Sequence, residues 1–198
     1  MTPRRLIVAI TGASGAVYGI RALTALRGVE DVETHLIISA GGRATIAHET
    51  DLRVDDVRAL ADVVHPEGNL SASISSGSFA TMGMLVAPCS IKTLAAIAHS
   101  YDANLVTRAA DVVLKERRPL VLLLRETPLH LGHLRLTVAA AENGAIVMPP
   151  VPAFYHRPQS IEDIVDQTIG RALDQFGIDT TLVQRWHGPP PRARDDDG

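Results

Sequence analysis

What this sequence lacks excludes several classes of protein. It holds one cysteine, Cys89, in 198 residues, so no internal disulfide can form and a reducing compartment is expected. It has no apolar stretch near the roughly 18–20 residues of a membrane span. The run Leu6–Ile10 behind Arg4-Arg5 is five residues long and stops at Thr11-Gly12, too short for the centre of a signal peptide. Charge of one sign is also missing. The 19 Lys+Arg and 22 Asp+Glu give a net charge of -3, which eight histidines shift only modestly, so nothing favours nucleic acid or an anionic membrane. No internal repeat is visible. A cytoplasmic protein is expected, and 198 residues suit one domain with a substantial core.

What is present is an alternation of short apolar runs with helical patterns. Leu6–Ile10 reads as a strand covered on both faces. A glycine turn and a helix from about Ala16 to Leu26 follow it. Thr34–Ser39, Met82–Cys89 (broken by Pro88), Pro119–Leu124 and Ala145–Met148 read as further strands. Between and after them, helices are expected from Gly41 to about Thr50, over Val54–Ala61, from Ser90 to about His99, over Asn104–Arg118 and Leu129–Asn143, and from Ser160 to about Phe176. Pro66–Phe79 reads mostly as loop. Beyond Gly188, a proline run and Asp195-Asp196-Asp197 read as a disordered tail. This order predicts an α/β, Rossmann-like three-layer fold: a parallel sheet with helices on both faces. Ligands in such sheets sit beyond the carboxyl ends of the strands, so the loops there carry the chemistry.

Gly12-Ala13-Ser14-Gly15 lets the backbone approach a ligand and opens a helix whose free N–H groups favour an anion; a tight turn is the plainer reading. A nicotinamide-dependent reductase would share this turn. Such enzymes usually carry a charged residue at the end of the second strand and a Tyr-x-x-x-Lys pair. Here the strand ends Ile38-Ser39-Ala40, and the pair is absent. Ser90 and Thr93 set hydroxyls at another helix start, either as a plain N-cap or as a second anion contact. Cys89 reads as a buried small residue. Arg108, Asp111 and Lys115 share one helix face, with an Asp111–Lys115 ion pair as the default reading. Arg125-Glu126 closes a buried strand, so both side chains are expected at the rim where ligands bind.

Together, GASGAVYG, HETD, SSGS, PCSIKTL, TRAADVVLKERRPLVLLLRETP, GAIVMPP, PAFYHRPQS and RW resemble the flavin prenyltransferases, within the wider flavin-binding cysteine-decarboxylase fold. The resemblance runs from Leu6 to about Trp186. It implies a single flavin-binding domain over residues 1–187. It also implies that reduced FMN is held by Gly12, Ala13, Ser14, Ser39, Ser90, Ile91, Lys92, Thr93 and Arg125. Dimethylallyl phosphate is implied to lie among Ser76, Gly77, Arg108, Lys115, Glu126, Tyr155 and Arg171, with Ser75 and Ser78 open as alternative phosphate contacts. Glu49 and Glu126 are implied as proton carriers, Ser14 as a further catalytic group, and Trp186 as a shield for the allyl group.

The implied reaction joins the dimethylallyl group to N5 and C6 of FMN, and a decarboxylase uses the prenylated product. Large homo-oligomers with shared sites, dodecamers among them, are implied as well. The only Asp run is Asp195–Asp197, so no metal site is expected, and fixed cations should stabilise the departing phosphate. If Glu49 or Glu126 is buried, its pKa is expected to rise. The alternatives are a cysteine-type decarboxylase, which would need an Asn and a Trp that the Met148–Phe154 region lacks, and a flavin-binding subunit without catalysis.

Overall fold

The structure is a computed structural model, and it describes residues 4–186 and Gly188. The expected tail, with Asp195–Asp197, therefore lies outside the described residues apart from Gly188. Six parallel strands form one sheet: β1 (Arg4–Ile10), β2 (Val32–Ile38), β3 (Val63–His65), β4 (Gly83–Cys89), β5 (Leu120–Leu124) and β6 (Ile146–Val147). Their order across the sheet is β3-β2-β1-β4-β5-β6. The helices are α1 (Ala16–Leu26), α2 (Ala40–Glu49), α3 (Val54–Arg58), α4 (Ile91–Ala98), α5 (Leu105–Lys115), α6 (Leu131–Glu142) and α7 (Ile161–Asp174).

Strand alternation builds two cores. Leu6, Val8 and Ile10 of β1 face one way, together with Leu36, Leu85 and Val121, and pack under α1 and α7. Ile7 and Ala9 face the other way with Met84, Val86 and Leu122, under α4 and α5. The central strands are buried on both faces, which is why their sequences are continuously apolar rather than alternating. Each fully buried Leu or Ile contributes about 1.5–3 kcal/mol. The expected three-layer parallel fold is the one observed.

Two pieces of structure lie where the sequence showed none. β3 is three residues long and pairs only through His35–Ile37, too short for a period to register. Ser73–Ser75 forms a single 3-10 turn inside the serine-rich segment read as loop. Pro88 does not end its strand. The register with β5 shifts between Val86 and Cys89, and the bulge absorbs the missing N–H. α3 stops at Arg58, short of the expected Ala61.

Chain order reverses between β1 and β4, which are adjacent in the sheet. The loops after these strands diverge to opposite faces and leave a crevice at the carboxyl edge, the usual ligand position in such sheets.

Candidate functional site

Thr11 ties the crevice together. Its hydroxyl donates to the Pro88 carbonyl at 2.7 Å and accepts the Ser90 N–H at 2.9 Å, locking the turn after β1 to the turn after β4. The Arg125 N–H donates to the Cys89 carbonyl at 3.1 Å, and the Ser39 N–H to the Ile10 carbonyl at 3.0 Å, so the turns after β2 and β5 join the same edge. Gly12 and Gly41 meet backbone to backbone: a Cβ on Gly12 would stand 2.9 Å from the Gly41 Cα. Neither position tolerates a side chain unless the loops separate. Thr11 was not singled out from the sequence, since a threonine beside glycine looks like ordinary turn chemistry.

Gly15 precedes α1 with φ 104°, a left-handed conformation natural to glycine. It has no side chain to cap the helix. The cap comes from the last residue of α2 instead: Glu49 Oε2 accepts the N–H of Gly15 at 2.7 Å and of Ala16 at 3.0 Å. Burial raises the Glu49 pKa, but hydrogen bonds from Ser14, Gly15 and Ala16, with the Arg125 charge, outweigh it and hold the carboxyl below its ordinary value. Glu49 is largely exposed, so the rise expected of a buried glutamate does not arise here. The expected phosphate cradle at Gly12–Gly15 also changes character, because the anion at this helix end is the protein's own carboxylate.

α2 is treated in the same way. Glu67 Oε2 accepts the Ala40 N–H at 2.7 Å, and its Oε1 accepts from Asn104 Nδ2 at 2.9 Å. α4 differs. Its first turn carries no acid, and its cap is Ser90 Oγ, which accepts the Thr93 N–H at 3.3 Å beside the Thr93 hydroxyl at 3.1 Å. Of the helices after β1, β2 and β4, α4 is thus the one whose positive end meets no carboxylate among the described residues. Ile91 and Lys92 supply its first-turn backbone. Ser39 faces the same edge and is largely occupied as the α2 cap, accepting the Gly42 N–H at 3.0 Å.

An adjoining cleft of about 530 Å³ is lined by Ser14, Gly15, Tyr18, Arg125, Glu126 and Val165, among others. That size suits a cofactor-sized ligand, for which about 300–1,000 Å³ is usual. Glu126 Oε1 accepts the Thr127 N–H at 3.0 Å. Tyr18, also unnoticed in the sequence, has its pKa raised by burial, with Arg125 acting in the opposite direction. Cys89 is fully buried, and desolvation pushes its thiol up to about 12, so it is inert.

The remaining predicted site residues lie in two other groups. In the first, Arg108 Nε donates to the Ser75 carbonyl at 3.2 Å and its Nη1 reaches Asp102 at 3.0 Å and Asp111 at 3.2 Å. Lys115 pairs with Glu116 at 2.8 Å; the expected Asp111–Lys115 pair is not formed, because Arg108 reaches Asp111 first. Ser76 and Ser78 share a hydrogen bond at 2.9 Å, and Arg118 holds this loop through the carbonyls of Gly77 and Phe79. In the second group, the Tyr155 and Trp186 rings meet edge to face at 5.8 Å, and Arg171 pairs with Asp174 at 2.6 Å. None of Ser76, Gly77, Arg108, Lys115, Tyr155, Arg171 and Trp186 lines the cleft within this chain.

Comparison with known proteins places the chain in a family. The Flavoprotein family profile matches residues 1–173. The chain is 63% identical over 187 residues to the flavin prenyltransferase UbiX of Escherichia coli K12, covering 93% of this chain and 99% of that protein. A crystal structure of AnUbiX (PadA1) in complex with FMN and dimethylallyl pyrophosphate superposes with a TM-score of 0.92 at 53% identity, covering 95% of this chain and 100% of that one. A dodecameric FMN-dependent UbiX-like decarboxylase from Escherichia coli O157:H7 superposes with a TM-score of 0.91 at 50% identity, covering 93% and 100%.

Proposed function

The chain belongs to the flavin prenyltransferases of the flavoprotein family, and from that premise we propose how its residues carry out the reaction. It transfers the dimethylallyl group of dimethylallyl phosphate to reduced FMN. Cysteine-type decarboxylation and non-catalytic flavin binding are not favoured.

Reduced FMN supplies the nucleophilic N5 and C6. Its phosphate fits the α4 end, where Ser90, Thr93 and the first-turn N–H groups meet no competing carboxylate among the described residues, with Ser39 and the Gly12–Ser14 backbone beside it. Its ring system fits the cleft beside Ser14 and Arg125. The observation that carries this reading is the unequal filling of the helix ends among the described residues: α1 and α2 hold Glu49 and Glu67, and α4 holds no carboxylate and is left for a foreign anion.

Breaking the allylic C–O bond places negative charge on the leaving phosphate and positive charge on carbon. Arg108, Lys115 and Arg171 stabilise the first, with Ser76 and Gly77 positioning the phosphate. The Tyr155 and Trp186 rings stabilise the second, by about 0.5–2 kcal/mol per cation–π contact. Protons released from the flavin pass to Glu49, Glu126 or the freed phosphate. Glu49 is ionised at neutral pH, and Ser14 orients it.

The donor-binding groups other than Glu126 stand apart from the cleft in one chain, so the site is completed in a homo-oligomer, with a dodecamer as the proposed assembly. Support comes from the dodecameric relative and from the apolar side chains Leu131, Leu134 and Val138 exposed along α6. We assign one flavin-binding domain to residues 1–187 and a prenyl-FMN-dependent decarboxylase as recipient of the product. Among the described residues no helix is long and apolar enough to cross a membrane, and we place the protein in the cytoplasm.

The test is a mass spectrum of the flavin after reduced FMN and dimethylallyl phosphate are mixed with purified protein. A gain of one five-carbon unit is expected, in the presence of a metal chelator as well. Flavin recovered bound but unchanged would overturn the proposal.

A further inference from the structure

Gln167 is a buried amide on α7, only 4% exposed, and both ends of its side chain are committed. Its Oε1 accepts the backbone N–H of Gln184 at 2.9 Å. Its Nε2 donates to the Tyr155 hydroxyl at 2.6 Å and lies 3.4 Å from the Gln184 carbonyl. The Tyr155 hydroxyl donates in turn to that carbonyl at 3.2 Å. The direction of every bond is fixed. A carbonyl only accepts, so the hydroxyl must spend its proton there and receive one from the amide nitrogen; the Gln184 N–H then requires the amide oxygen on the other side.

The same face of α7 makes two more contacts with this stretch of chain. A Cβ on Gly170 would stand 3.1 Å from the Leu182 Cβ and would also collide with Val183, so the missing side chain is what lets residues 182–183 lie against the helix. Asp174 takes Arg185 at 3.0 Å while holding Arg171 at 2.6 Å. Positions 167, 170 and 174 follow i, i+3, i+7 and form one stripe. The chain they clasp leads directly into Trp186, whose ring rests on Tyr155.

We propose that the Gln167–Gly170–Asp174 stripe is a positioning device that fixes Tyr155, Arg171 and Trp186 as one preassembled unit, with Gln167 as its central residue. The function rests on the reading above that these three contact the allylic phosphate donor. Gln167 touches no substrate. It removes the freedom of the Tyr155 hydroxyl and of the segment carrying Trp186 before the donor arrives, so less ordering is left for binding.

Trp186 is the single tryptophan of the sequence, so its fluorescence reports on this unit alone. In Gln167→Met on the FMN-loaded protein, the steady-state anisotropy of Trp186 is expected to fall and acrylamide quenching to rise. The donor KM should rise about tenfold, as expected when a buried polar pair loses its partner, with FMN affinity unchanged. Gln167→Glu provides a rescue. A protonated carboxyl has both an acceptor and a donor, so anisotropy should recover as pH falls, which a merely space-filling role does not predict. Gly170→Val tests the stripe without touching the amide and should free Trp186 in the same way, which keeps the test open if Gln167→Met fails to fold. Unchanged anisotropy and quenching in both variants would overturn the clasp. A freed Trp186 with unchanged donor KM would support the clasp and overturn the assignment of Tyr155 and Trp186 to the donor.

Discussion

Glu49 presses a carboxylate against two backbone N–H groups of α1, and that contact sets the sign of its pH dependence. Its folded pKa lies below the ordinary 4.5. A carboxyl depressed by folding adds stability above its unfolded pKa and loses it as pH falls through the folded value. Any acid limb of kcat/KM, which reports the free enzyme, should therefore fall below pH 4.5 if it belongs to Glu49; a limb above it would assign the step to another group. Glu49→Gln keeps shape and should retain FMN while turnover drops about 10²-fold or more, the usual contribution of a positioned proton carrier. Loss of FMN in that variant would make Glu49 structural. Cys89 gives a second check, because the native protein should resist thiol reagents and yield one thiol only after unfolding. Ser14, Arg125 and Glu126, which line the cleft, were legible through the motif resemblance. Their electrostatics were not: nothing in HETD announces that Glu49 reaches back to the turn after β1.

Among the elements, α5 and the serine-rich loop depend on Arg118, which donates to the carbonyls of Gly77 and Phe79 at 2.9 and 3.0 Å. Arg118→Ala should loosen the loop and lower stability by about 1–3 kcal/mol, the cost of leaving charge-assisted hydrogen bonds unmade. Donor KM should rise while FMN affinity holds, a split read directly by steady-state kinetics and flavin titration. A fall in FMN affinity of the same size would connect this loop to the flavin instead. The strong elements were legible because their periods are long: β1, β4 and β5 as apolar runs, α5 and α7 as helical stripes, whose starts the structure closes with capping boxes at Asn104 and Ser160. β3 was not, since three residues of an edge strand carry no period. Arg118 was passed over because a basic residue at the end of an expected helix looks solvated until the carbonyls it meets are known.

At the scale of the whole molecule, the sheet and its two cores follow from strand alternation, and the parallel three-layer architecture was readable in the sequence. The partition of the site was not. Sequence spacing says which residues share a helix face. It does not say that Arg108 and Lys115 belong to a different assembly from Glu49 and Arg125, because that depends on where the elements dock. The central claim is that these groups meet across subunits, which a subunit mixture tests most directly. Glu49→Gln and Arg108→Ala proteins are each expected to be nearly inactive. When they are co-assembled, roughly a quarter of the sites should unite an intact Glu49 from one chain with an intact Arg108 from another, by random assortment in a symmetric oligomer. The measurement is the fraction of FMN gaining a five-carbon unit in the mixed assembly. Recovery well above the sum of the two parents is predicted, and a mixture no more active than that sum would contradict a shared site.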